Sequence, residues 1–171
     1  MDASAVEAER RERDSFMKEH YASPIPEEHL EAFAGLAYFT HDATWRLSAE
    51  WTPGAGEKIS IPSTAGTDSA YTRAGTARCA IEGDDYTLVV LDDGDGGAFI
   101  PFRDGTSGSG TYGGGRYVPI EVGEDEAFID FNRAYNPWCV YDEEFTCPLP
   151  PASNWITVRI PAGEKMYDAP A

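Results

Sequence analysis

The clearest periodicity in the chain begins at Thr44, where Trp45, Leu47 and Ala49 alternate with Arg46, Ser48 and Glu50. Period two is the spacing of a strand with one buried face and one wet face. Pro53-Gly54-Ala55-Gly56 then turns the chain into Lys58-Ile59-Ser60-Ile61, which predicts a hairpin. Further strands are predicted over 67–72, 74–82, 86–91, 97–103, 115–122, 126–131 and 155–160, divided by clusters such as Asp92-Asp93-Gly94-Asp95-Gly96-Gly97. Eight or nine short strands with no helix between them predict a mainly β protein, an antiparallel barrel or sandwich. Barrel closure would also remove exposed strand edges. Residues 132–154 carry Pro137, Pro148, Pro150 and Pro151 and read as a long ordered loop packed by Tyr135, Trp138, Tyr141 and Phe145.

Ahead of the strands the period is different. Residues 3–20 are rich in Ala, Glu and Arg, with opposite charges at helical spacing such as Glu9 and Arg13, and predict a helix whose thin apolar face lies on a larger body. Ser23-Pro24-Ile25-Pro26 stops it, and Pro26-Glu27-Glu28 starts a second short helix running to about Phe33. The organisation expected is a helical extension over 1–22 and a single β-rich domain over 23–171.

Charge changes the picture more than length does. Thirty Asp and Glu face 13 Lys and Arg, a net charge of −17, and Lys occurs only at 18, 58 and 165. The acids run along the whole chain instead of forming one tail. Such a surface repels itself in dilute buffer and is tolerable where molar salt shrinks the Debye length to about 3 Å, which predicts a halophile, an archaeon. Nucleic acid is not an expected partner, because binding its backbone needs clustered Lys and Arg. No signal-like segment and no apolar run of about 18 residues is present, so a cytoplasmic protein without a membrane partner is expected. Cys79, Cys139 and Cys147 are odd in number and form no CxxC pair, which fits reduced thiols.

Several motifs fail on context. Gly108-Ser109-Gly110-Thr111-Tyr112-Gly113 satisfies GxGxxG, but Gly114-Gly115 follow and Arg116-Tyr117-Val118 resume a strand where a dinucleotide site needs a helix. A serine-hydrolase site is not expected, since there is no GxSxG and His20, His29 and His41 all lie upstream. The Asp92–Gly96 run lacks calcium-loop spacing, and no metal site is expected. Cys139 and Cys147, with seven residues between them, are read as buried structural thiols, with metal binding, bond formation and nucleophilic chemistry as the alternatives.

The densest polar stretches are Arg103, Asp104, Thr106, Tyr112 and Arg116, then Asp130, Asn132, Tyr135 and Asn136. Charges on half-apolar strands need partners, because an unpaired buried charge costs several kcal/mol, roughly. Two readings follow. In one, these residues form a hydrogen-bond network pinning the Gly-rich turn to the long loop. In the other, they line a ligand pocket in which Arg116 or Arg103 offers a bidentate fork to an anionic group.

The chain resembles domain-of-unknown-function family 1684. The resemblance rests on Arg13-Asp14 with Phe16, Ser23-Pro24, Phe33 with Gly35-Leu36, Tyr38-Phe39, FIPFRDGTSGSGTYGGGRY from Phe99, DFNRAYNPWCVY from Asp130, CPLPP from Cys147, Asn154, and AGEK from Ala162. It covers roughly residues 10–167. Longer members carry an additional N-terminal domain, so this chain is expected to be the minimal unit. Where the family shows a small residue or Pro before Cys-Ala, Trp138-Cys139-Val140 is bulkier and is expected to reshape a neighbouring pocket. The resemblance transfers no catalytic role. Three functional classes therefore stand: a small-molecule-binding barrel recognising an anionic ligand, an enzyme using Cys139 as nucleophile or Asp104 or Asp130 as acid or base, and an interaction module docking through the N-terminal helix or the loop around Trp138. The sequence names no cofactor and fixes no oligomeric state.

Overall fold

A computed structural model describes residues 2–169. Its strands are β1 (Arg46–Pro53), β2 (Lys58–Pro62), β3 (Asp68–Ile81), β4 (Asp84–Asp92), β5 (Ala98–Phe102), β6 (Arg116–Val122) and β7 (Glu126–Asp130), all antiparallel. Pairing runs β1-β7-β6-β5-β4-β3, and β3 pairs back onto β1, so six strands close a barrel and β2 extends one end of β3. The mainly β, closed antiparallel architecture is the one the alternation predicts.

Three local expectations change. The predicted strands 67–72 and 74–82 are one 14-residue strand, β3, with its register shift between Arg73 and Gly75. The predicted hairpin does not form, because β1 and β2 lie end to end along the same edge of β3, β2 opposite 68–72 and β1 opposite 75–78. The approach is close: a Cβ on Gly75 would sit 2.4 Å from the Thr52 carbonyl, so glycine is required where β1 closes the barrel. Residues 155–160 make a single parallel bridge, Trp155 with Arg103, and follow the 103–105 segment instead of entering the barrel, whose edges are already paired.

Inward-facing Leu88, Val90, Ile100, Phe102, Val118, Ile129 and Phe131 fill the barrel, with Ala49, Ala77 and Ala127 where β1, β3 and β7 meet. Six strands enclose only enough space for side chains, so a ligand must bind outside the barrel wall. The helix α1 (Ala3–Glu19) is capped by Asp2, whose carboxylate accepts from the Ala5 N–H at 2.9 Å. Its residues 6, 10, 13 and 17 share one face. Val6 and Met17 from that face are buried, Met17 in a small cluster with Ile25, Phe33 and Tyr141. The second helix, α2 (Glu27–Leu30), is a single turn and stops short of the predicted Phe33. No helix among the described residues is long and apolar enough to cross a membrane.

Candidate functional site

The two polar stretches meet on a third segment, residues 160–165. Arg116 opens β6 directly after Gly115, whose φ of +99° and whose 2.5 Å approach to the Phe102 carbonyl exclude a side chain. This places the Arg116 guanidinium inside the protein, 1% exposed. Its Nη1 donates to the Glu164 carbonyl at 3.0 Å and to that of Ala162, and its Nη2 donates to the Ile160 carbonyl at 3.1 Å and to Asp104 Oδ1 at 3.4 Å. Asp104 also accepts from the Thr106 amide and hydroxyl and from the Ile160 amide at 2.7 Å. Burial lowers the Arg116 pKa, opposed by Asp104. Arg103 lies outside this network, its guanidinium 5.1 Å over the Trp155 ring. Tyr112 stands apart from it, beside Cys139.

In the second stretch, the Asn132 side chain donates to the Asp42 carbonyl at 2.8 Å and accepts from the Asp42 amide at 2.9 Å, while Asp130 Oδ1 accepts from the Asn132 amide and side chain. The Asn136 amide and side chain donate to Glu164 at 3.1 and 2.8 Å. Tyr135 carries the Arg13 guanidinium 4.8 Å over its ring.

Glu164 is the centre of a buried cluster and is 1% exposed. Besides Asn136 it accepts from the Tyr141 hydroxyl and pairs with Arg13 Nε at 3.4 Å. Burial raises the Glu164 pKa, with Arg13 opposing the rise, and the same carboxylate helps hold the Arg13 pKa up. The expected Glu9–Arg13 pair is replaced: Glu9 accepts from Arg133 at 2.8 Å, and Arg13 turns inward to Glu164.

Between α1 and the barrel wall lies a cavity of about 170 Å³, lined by Arg10, Arg13, Tyr38, Arg133 and, from the predicted set, Asn132 and Tyr135. Arg10 is only 9% exposed, with its guanidinium 4.5 Å over the Tyr38 ring and one nitrogen donating to the Asn132 carbonyl. Two buried donors here, Arg10 Nε and the Tyr38 hydroxyl, have no protein acceptor. Burial raises the Tyr38 pKa, keeping the phenol a donor.

The predicted site left out Arg10, Arg13, Tyr38, Arg133 and Glu164, of which Arg133 lies within the polar stretch that begins at Asp130. The readable signal was the spacing of Val6, Arg10, Arg13 and Met17, which puts two arginines on an otherwise apolar helix face. No group of three or more His, Cys, Asp or Glu among the described residues is arranged to hold a metal ion.

An uncharacterised protein of the haloarchaeon Haloarcula marismortui, known from a solution NMR structure, superposes with a TM-score of 0.75 at 36% identity, over 95% of this chain and 92% of that one. No curated protein matches the chain. The model of the family described as "Protein of unknown function (DUF1684)" matches residues 31–165, and with both sequence and fold shared in this way the chain belongs to that family.

Proposed function

We propose that the protein binds a small anion in the cavity between α1 and the barrel. The observation that carries this reading is the pair of buried donors lacking an acceptor, Arg10 Nε and the Tyr38 hydroxyl, on residues that line one cavity. A buried polar group without a partner costs about 1–3 kcal/mol, so a ligand supplying acceptor oxygens recovers that cost on binding. Three arginines line the space, and although Arg10 pairs with Glu7, Arg13 with Glu164 and Arg133 with Glu9 and Glu121, the Arg10 Nε is left over from its pair and is free to donate to a ligand.

The volume of about 170 Å³ resembles a cavity of ~150 Å³ that admits one benzene-sized molecule. A phosphate or a small carboxylate fits it, and a nucleotide does not. The ligand class is the anionic one anticipated from the sequence. The site proposed keeps Asn132 and Tyr135 and replaces Arg103 and Arg116 with Arg10 and Arg133. Arg116 and Asp104 serve as the internal pin that fixes the 160–165 segment.

The test is calorimetry in molar KCl with inorganic phosphate and with succinate, on the wild type and on an Arg10→Gln, Tyr38→Phe double variant. Saturable binding to the wild type is expected, weakened about ten- to a hundredfold in the double variant, as the loss of a charge-assisted hydrogen bond implies. Binding of neither anion, or equal binding to both proteins, contradicts the proposal.

A further inference from the structure

Beyond the α1 cavity, whose lining residue Tyr135 also lines a second space, the long loop folds two cysteines together. Residues Trp138–Val140 form a 3₁₀ turn, and the Cys139 N–H donates to Cys147 Sγ at 3.4 Å. The two thiols lie close enough for each to set the other's pKa. Each cysteine opens onto its own cavity. Cys139 lines one of about 500 Å³, with Tyr112 and Glu143. Cys147 lines one of about 320 Å³ walled by Phe99, Tyr117, Trp138 and Phe145, with the exposed carboxylates of Asp92 and Asp93 among its lining residues.

We infer that Cys139 and Cys147 form a redox-active dithiol that exchanges with small disulfides carrying cationic or neutral flanks, with Cys147 as the attacking sulfur and Cys139 as the resolving one. The assignment departs from the structural-thiol reading of the sequence, and from its alternative in which Cys139 is the nucleophile. Cys147 receives the donors that stabilise a thiolate, and these hydrogen bonds, the Cys139 thiol first, bring its pKa down to about 6. Cys139, donating, is pushed up. The titratable groups facing the pair are Tyr112 and Glu143 on the Cys139 side and Tyr71 on β3, Tyr117 on β6, Tyr135, Asp92 and Asp93 on the Cys147 side. Neither cavity has a Lys or Arg in its lining, so hydrogen bonds and not cations stabilise the thiolate. Cys79, the third thiol, is buried in the barrel and pushed up to about 11.

The steps balance. Cys147 thiolate attacks one sulfur of the disulfide RS–SR, forming a mixed disulfide and releasing RS⁻. Cys139 then attacks Cys147 Sγ, forming the Cys139–Cys147 bond and expelling the second RS⁻. The Cys139 proton leaves with one thiolate, and the other takes a proton from water. The protein is oxidised by two electrons and the disulfide is reduced to two thiols. The aromatic walls accept an apolar stem, while Asp92 and Asp93 favour a cation and repel an anionic disulfide.

The probe is cystamine, with oxidised glutathione as the anionic comparison, mixed with reduced protein and followed by peptide-mapped mass spectrometry. The wild type is expected to give the Cys139–Cys147 linkage and two equivalents of cysteamine, more slowly with glutathione disulfide. Cys139→Ala in mildly alkaline buffer is expected to stop at a mixed disulfide on Cys147, and Cys147→Ala to leave Cys139 unmodified. The wild-type rate should level off above about pH 7, with its half-maximum near pH 6, whereas an ordinary thiol keeps rising to about pH 8.5. Wild-type protein in which neither cysteine changes, or in which the mixed disulfide maps to Cys139, overturns the proposal without reliance on any variant. Equal rates with the two disulfides overturn the cationic preference.

Discussion

Glu164 shows how one residue organises the surroundings of a site. Its carboxylate gathers Asn136 from the long loop, Tyr141 from the turn beyond it and Arg13 from α1, so three segments remote in sequence share one buried charge. Glu164→Gln loses one acceptor oxygen and leaves a buried donor among Asn136, Tyr141 and Arg13 unsatisfied, so it is expected to cost about 1–3 kcal/mol at about pH 4 by denaturant melts. The pH dependence has a definite sign. Burial raises the folded pKa, so the folded state holds the proton more tightly than the unfolded chain, whose glutamates titrate near pH 4.3, roughly. The carboxylate's contribution therefore falls as pH rises from there through the folded value, and the gap between wild type and Glu164→Gln should narrow over that window. Cys147 runs the other way. Its lowered pKa adds stability as pH rises from about 6 towards the ordinary thiol value of about 8.5, above which the raised Cys139 pKa works against it, and Cys147→Ala should remove that rise. None of this was legible in the sequence, where Glu164 is one acid among 30. A carboxylate becomes special only through what surrounds it.

At the scale of elements, strands were readable and their partners were not. Alternation located β1 and the ends of β4 to β7 well, because one face of each strand meets the barrel core and that face is written into the sequence. Closure depends instead on a long-range approach between Trp51–Thr52 and Gly75, which no local pattern announces. For the same reason Pro53-Gly54-Ala55-Gly56 looked like a hairpin turn when it only steps the chain from one half of β3 to the other. The Gly-rich turn is rigid: Gly115→Ala should cost more than about 2 kcal/mol, since a left-handed φ of +99° and a carbonyl 2.5 Å from the new Cβ cannot both be accommodated. The α1 face was half legible. Met17 marks it, and Met17→Ala should cost about 2–5 kcal/mol, a loss that also loosens the helix carrying Arg10 and Arg13.

For the whole molecule, the filled barrel and the acidic surface together direct attention to the space under α1. A net charge of −17 makes self-repulsion a global term, so the midpoint of thermal unfolding is expected to climb as KCl is raised from dilute to molar concentration. A midpoint that falls with salt would show that attraction between unlike charges dominates. An anion site in such salt must rely on enclosure and directed hydrogen bonds, because long-range attraction is screened within about 3 Å. Composition predicts that environment, but two of the three arginines, Arg10 and Arg13, sit on a helix whose charges read as solvent-facing until the fold turns them inward. The most direct measurement is an NMR titration of the arginine Nε–Hε resonances with inorganic phosphate in molar KCl. The Arg10 signal is expected to shift saturably with Arg13 and Arg133 following, while Arg103 and Arg116 stay in place. Movement confined to Arg103 or Arg116, or no movement at all, contradicts the account.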